Sequence, residues 1–156
     1  MDRIFSDSAR LQRMLDFEAA LAAAEARIGV IPEAAVAAIV RTCRADQFDL
    51  EDLARKAASA GNLAIPMVKQ LTALVERSER DAARYVHWGA TSQDAIDTGL
   101  VLQARDALHL IENSINRTSR ALVKLVQQHR NTPMVARTWM MQAVHALRIE
   151  ASGMAG

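Results

Sequence analysis

Cysteine, proline, aromatic residues and an excess of charge of either sign are all scarce in this chain, and each scarcity removes a class of protein. A single cysteine in 156 residues rules out an internal disulfide and any cysteine-built zinc site; Cys43 alone fits a reducing compartment and plain core packing. Aromatics make up 4% of the chain, and with many alanines and little apolar-polar alternation they argue against strands. Lys and Arg number 19 against 18 Asp and Glu, far from the basic footprint of a nucleic-acid binder, so any preference for anions must be local. Long apolar runs are missing too. The opening Met1-Asp2-Arg3-Ile4-Phe5-Ser6-Asp7 lacks the basic and then apolar segments of a secretory leader, and the alanine-rich stretch from Ala19 onward is interrupted by the charges of Glu18, Glu25 and Arg27. The chain reads as cytoplasmic, with neither a membrane nor a nucleic acid as partner.

What is present is helical periodicity in a composition 51% hydrophobic and 24% charged, suited to one domain or a domain and a half. Apolar residues recur at steps of three and four nearly everywhere, which predicts an all-α fold. A first helix runs from about Asp7 or Ser8 through Leu11, Met14, Leu15, Ala19 and Ala22 and stops near Gly29. Pro32 opens a second, Glu33 to Arg44, with an apolar face of Val36, Ile39, Val40 and Cys43. Asp49 with Asp52 reads as a capping box for a short third helix ending at Gly61-Asn62. Pro66 opens a fourth with the stripe Met67, Val68, Leu71, Leu74 and Val75, and residues 76–84 form a charged connection.

From Ser92 to about Arg130 no proline interrupts a pattern that includes Ile96, Leu100, Leu108, Ile111, Ile115, Leu122 and Leu125. At 1.5 Å per residue this is a helix of about 57 Å. Its stripe is too long to be buried against the preceding segment alone, so it calls for partner helices from a larger bundle or from other subunits. Gly99 within it costs about 1 kcal/mol against alanine, which a close helix approach would explain and tolerated noise would explain equally. Asn131-Thr132-Pro133 ends the helix.

The stretch just before that helix, Tyr85 to Thr98, carries the chemistry. The N–H groups of a helix's first turn have no partners within the helix and, with the macrodipole, bind carboxylate or phosphate; Thr91 and Ser92 would add hydroxyls. Thr91 and Asp94 taken alone describe a capped helix, and His87 beside Trp88 taken alone describes a hydrogen-bonded structural histidine. Taken together, with a Gly89-Ala90 turn that lets the backbone approach closely, the imidazole, the hydroxyls and the helix N–H groups can converge on one anionic ligand. His109, His129 and His145 have no spacing that would place two ligands on one helical face, so no metal is predicted. Arg117, Arg120, Lys124 and Arg130 read as a solvated helix face.

The string Val86-His87-Trp88-Gly89-Ala90-Thr91-Ser92-Gln93-Asp94, followed by Asp97-Thr98, resembles the first signature region of the fumarase/aspartase superfamily. The resemblance extends to about Ala143 through Leu15-Asp16-Phe17-Glu18-Ala19-Ala20-Leu21, Gly29-Val30-Ile31-Pro32 and Gly61-Asn62-Leu63-Ala64-Ile65-Pro66. Within the superfamily the pattern is similar to the carboxymuconate cycloisomerase branch. The competing branch, adenylosuccinate lyase, typically carries Thr-His in the second signature region, where this chain has Thr138-Trp139. A non-catalytic helical oligomerisation module is the alternative outside the enzymes.

The resemblance implies an N-terminal helical domain, residues 1–90, and from residue 91 the first long helix of a central bundle, with an atypical tail from about residue 145. It implies a homotetramer whose sites draw on three subunits, and a small polycarboxylate substrate. The reaction it implies is lactonisation of a conjugated tricarboxylate in aromatic-acid catabolism, in which one carboxylate adds across a double bond and a proton goes to carbon without a cofactor. On the same basis Thr91 and Ser92 would bind substrate carboxylate and Asp94 would support the turn. His87 would stabilise charge or hydrogen-bond the substrate, Thr138 and Gln142 would line a second wall, and Arg137 would add positive potential.

Two departures stand against this. Met141 occupies a position where glutamine is usual, and His145-Ala146-Leu147-Arg148-Ile149-Glu150 replaces the family's continuation; codons for 146–150 read one base over can spell His-Phe-Gly-Leu-Lys, which predicts a frameshift. The Gly-Ser-Ser loop with the family's catalytic serine has no counterpart in these 156 residues, so the expectation is a truncated chain without turnover by itself.

Overall fold

The computed structural model describes residues 2–132, 136–138 and 141–143. Six α-helices follow in order: α1 (Asp7–Arg27), α2 (Glu33–Thr42), α3 (Leu50–Ala60), α4 (Ala64–Ser78), α5 (Arg80–Ala83) and α6 (Ser92–His129), with a 3-10 turn at Ala45–Gln47. Two three-residue strands, β1 (Ala136–Thr138) and β2 (Met141–Ala143), pair antiparallel with Arg137 opposite Gln142. The class is all-α, as the periodicity predicts, and this short ladder is the one departure from it among the described residues. No helix there is long and apolar enough to cross a membrane.

The described residues fall into two compact units, one up to Leu108 and one from His109 on. The core of the first is built on α1. Leu11, Met14, Leu15 and Ala22 recur at steps of three, one and seven, so they share one face, and all are buried. That face meets α2, which in turn packs on α4 and α5, while α3 packs on α4. Ala38 and Ile39 of α2, Leu53 of α3, and Met67, Leu71 and Val75 of α4 complete the cluster. Cys43 lies in it as expected, and burial pushes its thiol up to about 12.

The helix boundaries have local causes. Ser6 caps α1 by accepting from the Ala9 N–H at 3.2 Å, and Asp49 caps α3 by accepting from the Asp52 N–H at 3.0 Å. The capping box read at Asp49 is only half formed, because the Asp52 carboxylate turns to Lys56, Arg55 and Gln70. Helix α4 begins two residues before Pro66: Asn62 Oδ1 accepts from the Ile65 N–H at 3.1 Å, and a proline in the first turn lacks only an N–H that would have no helical partner. The charged connection after α4 holds the short helix α5. Between α2 and α3 the chain is tied back by Gln12, whose side chain donates to the Cys43 carbonyl and accepts from the Ala45 N–H at 2.9 Å. Those two bonds satisfy loop groups that the 3-10 turn leaves over.

In the first unit, α6 turns a row of mostly small residues inward. Ala95, Gly99, Gln103 and Ala107 fall four apart and are buried. A Cβ at Gly99 would stand 2.9 Å from Met14 Cγ and 3.3 Å from the Met14 backbone nitrogen. The glycine therefore serves close helix approach, the first of the two readings open from sequence. Gln103 donates to the Ile4 carbonyl, and Asp106 pairs with Arg13 of α1. The large apolar residues of α6 face outward: Leu100, Val101, Leu108, Ile115, Val123 and Leu125 are each more than half exposed. Of the stripe the sequence predicts, Leu100, Leu108, Ile111, Ile115, Leu122 and Leu125 are exposed while Ile96 packs against the core, and with Val101 and Val123 they make more apolar surface on one helix than isolated exposed residues explain.

Candidate functional site

Between α5 and α6 the chain makes a run of turns, residues 84–89, that ends just before the helix N-terminus. Two residues of it have a positive φ, His87 at 56° and Gly89 at 66°. For glycine this is free of strain; for histidine the left-handed region is uncommon, and the surrounding structure must hold it there. What holds it is visible in the side chain. His87 Nδ1 lies 2.7 Å from Oε1 of Glu18 on α1, with the ring 14% and the carboxylate 1% exposed.

Glu18 occupies the buried face of α1 with Leu11, Leu15 and Ala22. Its other oxygen, Oε2, is buried with no hydrogen-bond partner among the described residues, and the same is true of Oε2 of Glu25, two turns further along α1. An unsatisfied buried acceptor costs about 1–3 kcal/mol. Burial, and next the neighbouring Glu18 charge, push the Glu25 carboxyl above the ordinary carboxylate range, against the pull of His87. The imidazole responds in the same direction for a different reason. Its hydrogen bond to Glu18 outweighs desolvation, and the charges of Glu18, Asp94 and Glu25 add to it, so His87 binds its proton more tightly than a free histidine.

At the helix start Asp94 Oδ2 accepts from the Thr91 N–H at 2.8 Å and from Thr91 Oγ1 at 3.0 Å. Those two bonds, the backbone one first, hold the Asp94 carboxyl below the ordinary range. The sequence motif is thus half of a capping box, in which Asp94 takes the Thr91 N–H and hydroxyl and the hydroxyl receives no N–H in return, so Asp94 fixes the turn. The N–H groups of Ser92 and Gln93 have no hydrogen-bond partner among the described residues. Two backbone donors at the positive helix end and an imidazole biased toward its cationic form thus lie in one turn, beside the carboxylates of Glu18, Glu25 and Asp94 that hold the ring's proton. Trp88 is 48% exposed beside it, with its ring 6.0 Å from that of Tyr85.

His87, Thr91, Ser92 and Asp94 fall in one short segment of the first unit. Arg137, Thr138 and Gln142 lie on the paired strands of the second unit, in register by backbone, and their side chains lie outside the described residues, as do Trp139 and His145. Among the described residues no group of three or more His, Cys, Asp or Glu is placed to hold a metal. Glu18 and Glu25 are the residues that reading of the sequence missed. Glu18 carried a signal: a charge three residues after Leu15 and four before Ala22 falls on the apolar stripe, where a charge needs a partner.

Comparison with known proteins agrees with the motif. The sequence model of the lyase family matches residues 1–149. The 3-carboxy-cis,cis-muconate cycloisomerase of Pseudomonas putida is 54% identical over 143 residues, covering 92% of this chain and 34% of the relative. Two solved structures match: the 3-carboxy-cis,cis-muconate lactonizing enzyme from Pseudomonas putida, with TM-score 0.85, 54% identity and coverage of 90% of this chain and 32% of that one, and the beta-carboxy-cis,cis-muconate cycloisomerase from Acinetobacter calcoaceticus sp. ADP1, with TM-score 0.88, 44% identity and coverage of 98% and 37%. The chain thus spans about a third of the length of the relatives it matches. With a family match over nearly its whole length, the chain belongs to the lyase family.

Proposed function

We propose that the turn before α6 is one wall of a polycarboxylate site, and that the reaction it serves is the cofactor-independent lactonisation of 3-carboxy-cis,cis-muconate. The observation that carries this reading is a histidine held at Nδ1 by a buried carboxylate and biased toward its charged form, immediately ahead of two unpartnered N–H groups at a helix N-terminus. In such a lactonisation one carboxylate adds across the conjugated double bond and negative charge moves onto the opposite, enolate-like end before a proton reaches carbon. Fixed donors aimed at that end stabilise it without reorganising. Ser92 and the helix N–H groups bind a substrate carboxylate, Thr91 joins them by turning its hydroxyl from Asp94 to the substrate, His87 stabilises the developing charge, and the Thr91 N–H bond to Asp94 keeps the turn in place. Arg137, Thr138 and Gln142 serve a substrate from another subunit, as sites drawing on three subunits imply.

The same reading assigns residues 1–90 to an N-terminal domain and residues from 91 to the start of a long-helix bundle, in the cytoplasm. The uncovered apolar side of α6 supports self-association through these helices. Binding tests the site directly. On adding 3-carboxy-cis,cis-muconate to the 15N-labelled protein, the amide signals of Ser92 and Gln93 and the His87 ring should shift together with one dissociation constant. Saturating shifts confined to other surfaces would refute the assignment.

A further inference from the structure

Glu18 is the one carboxylate buried to this extent among the described residues, and neither a lysine nor an arginine pairs with it. A leucine in its place on α1 would pack without any desolvation cost, so the retained acid needs a reason beyond stability. Its single hydrogen-bond partner is the His87 ring, and the ring is brought there by a left-handed backbone that histidine does not ordinarily adopt. An ionised carboxylate can only accept, so the proton between them must sit on Nδ1. Nε2, on the far edge of the ring, has no hydrogen-bond partner among the described residues and is not sealed in the interior.

We propose that Glu18 is a positioning residue for His87, fixing the ring by Nδ1 so that Nε2 is the nitrogen presented to an acid at the start of α6. The proposal rests on reading that turn as an acid-binding site. While the ring is charged, Nε2–H donates to a carboxylate or to an enolate oxygen; once that proton has left, Nε2 offers a lone pair and takes a proton back, with Nδ1–H unchanged throughout. The acidic groups that face the ring are Glu18 and Glu25 from α1 and Asp94 from α6. Of these only Glu18 touches it, which is why the ring's orientation and tautomer depend on Glu18 and not on its neighbours.

The test reads ring nitrogens directly. In 15N-histidine protein, with the His87 signals identified by their loss in His87→Gln, the neutral ring should be the Nδ1–H tautomer, the minor form of free histidine, and should titrate above 6.5. In Glu18→Gln, where the charge is gone though an amide oxygen can still accept from Nδ1–H, the ring's proton affinity should fall at least tenfold, whereas Glu25→Gln should leave the tautomer unchanged. An Nε2–H tautomer in the unaltered protein, or an unchanged titration in folded Glu18→Gln, would overturn the proposal. Should Glu18→Gln fail to fold, the tautomer of the unaltered protein still decides. Tricarballylate separates this from the site reading: a ring that is Nδ1–H and gains proton affinity on adding it supports both, while an Nδ1–H ring indifferent to it upholds the positioning role and removes the acid site.

Discussion

Replacing Gly99 with alanine pits two effects of similar size against each other, and the structure decides the sign. In the middle of an exposed helix alanine is better than glycine by about 1 kcal/mol. Here the added methyl would stand 2.9 Å from Met14 Cγ and 3.3 Å from the Met14 backbone nitrogen. The first contact could be relieved by a rotamer change, but Met14 is 1% exposed and its neighbours are Leu11 and Leu15, both fully buried. The second is with backbone and is relieved only if α6 moves away from α1. Overpacking of this kind costs about 1–3 kcal/mol, so the balance for Gly99→Ala is a net loss of about 1 kcal/mol, seen as a lower urea midpoint at unchanged slope. The reasoning has an internal control. In a Met14→Ala background the side-chain clash is gone and only the backbone contact remains, so Gly99→Ala should cost less than in the unaltered protein, a coupling of about 1 kcal/mol between the sites. If Gly99→Ala raises the midpoint of the otherwise unaltered protein, the close approach of α6 to α1 is wrong.

Glu25→Gln should stabilise the protein at neutral pH and make little difference near pH 4. The folded state holds the Glu25 proton above its ordinary value of 4.5, so that contribution is complete below 4.5 and is lost as pH rises through the folded value; midpoints measured from pH 4 to 7 should diverge in favour of the glutamine variant. Cys43, buried with its thiol pushed up to about 12, should react with iodoacetamide at pH 8 only through unfolding, so that labelling slows with added stability and a fast reaction in native buffer would contradict its burial. The chain by itself should show no turnover of 3-carboxy-cis,cis-muconate, followed as loss of the diene absorbance, because no Gly-Ser-Ser loop occurs in it; a rate matching a full-length enzyme would show that the serine is dispensable.

The long-range periodicity was legible because helices are local. The extent of α6, the caps at Asp49 and Thr91 and the outward stripe from Leu100 to Leu125 all follow from residues within a few positions of one another. The site was legible for the same reason in its sequence-contiguous half, His87 to Asp94. What could not be read was the partner of His87, since Glu18 is 69 positions away and only packing of α1 against the turn brings them together. The start of α4 at Ala64 instead of Pro66 was hidden by a side-chain cap from Asn62, and the inward choice of Ala95, Gly99, Gln103 and Ala107 by the need of two helices to approach closely. Glu25, seven positions after Glu18 and three after Ala22, falls on the same stripe of α1, so its partly buried carboxylate carried the same signal as Glu18.

The most direct test exchanges the N-terminal third of the Pseudomonas putida cycloisomerase for this chain, a replacement that 54% identity over 143 residues makes structurally mild, and follows the diene absorbance of 3-carboxy-cis,cis-muconate. The account predicts that the assembled chimera forms lactone and that His87→Ala in it lowers kcat by about two orders of magnitude or more, the scale set by removing one fixed donor to a developing oxyanion. An assembled chimera that leaves the diene untouched, or one whose rate is indifferent to the loss of His87, would contradict it.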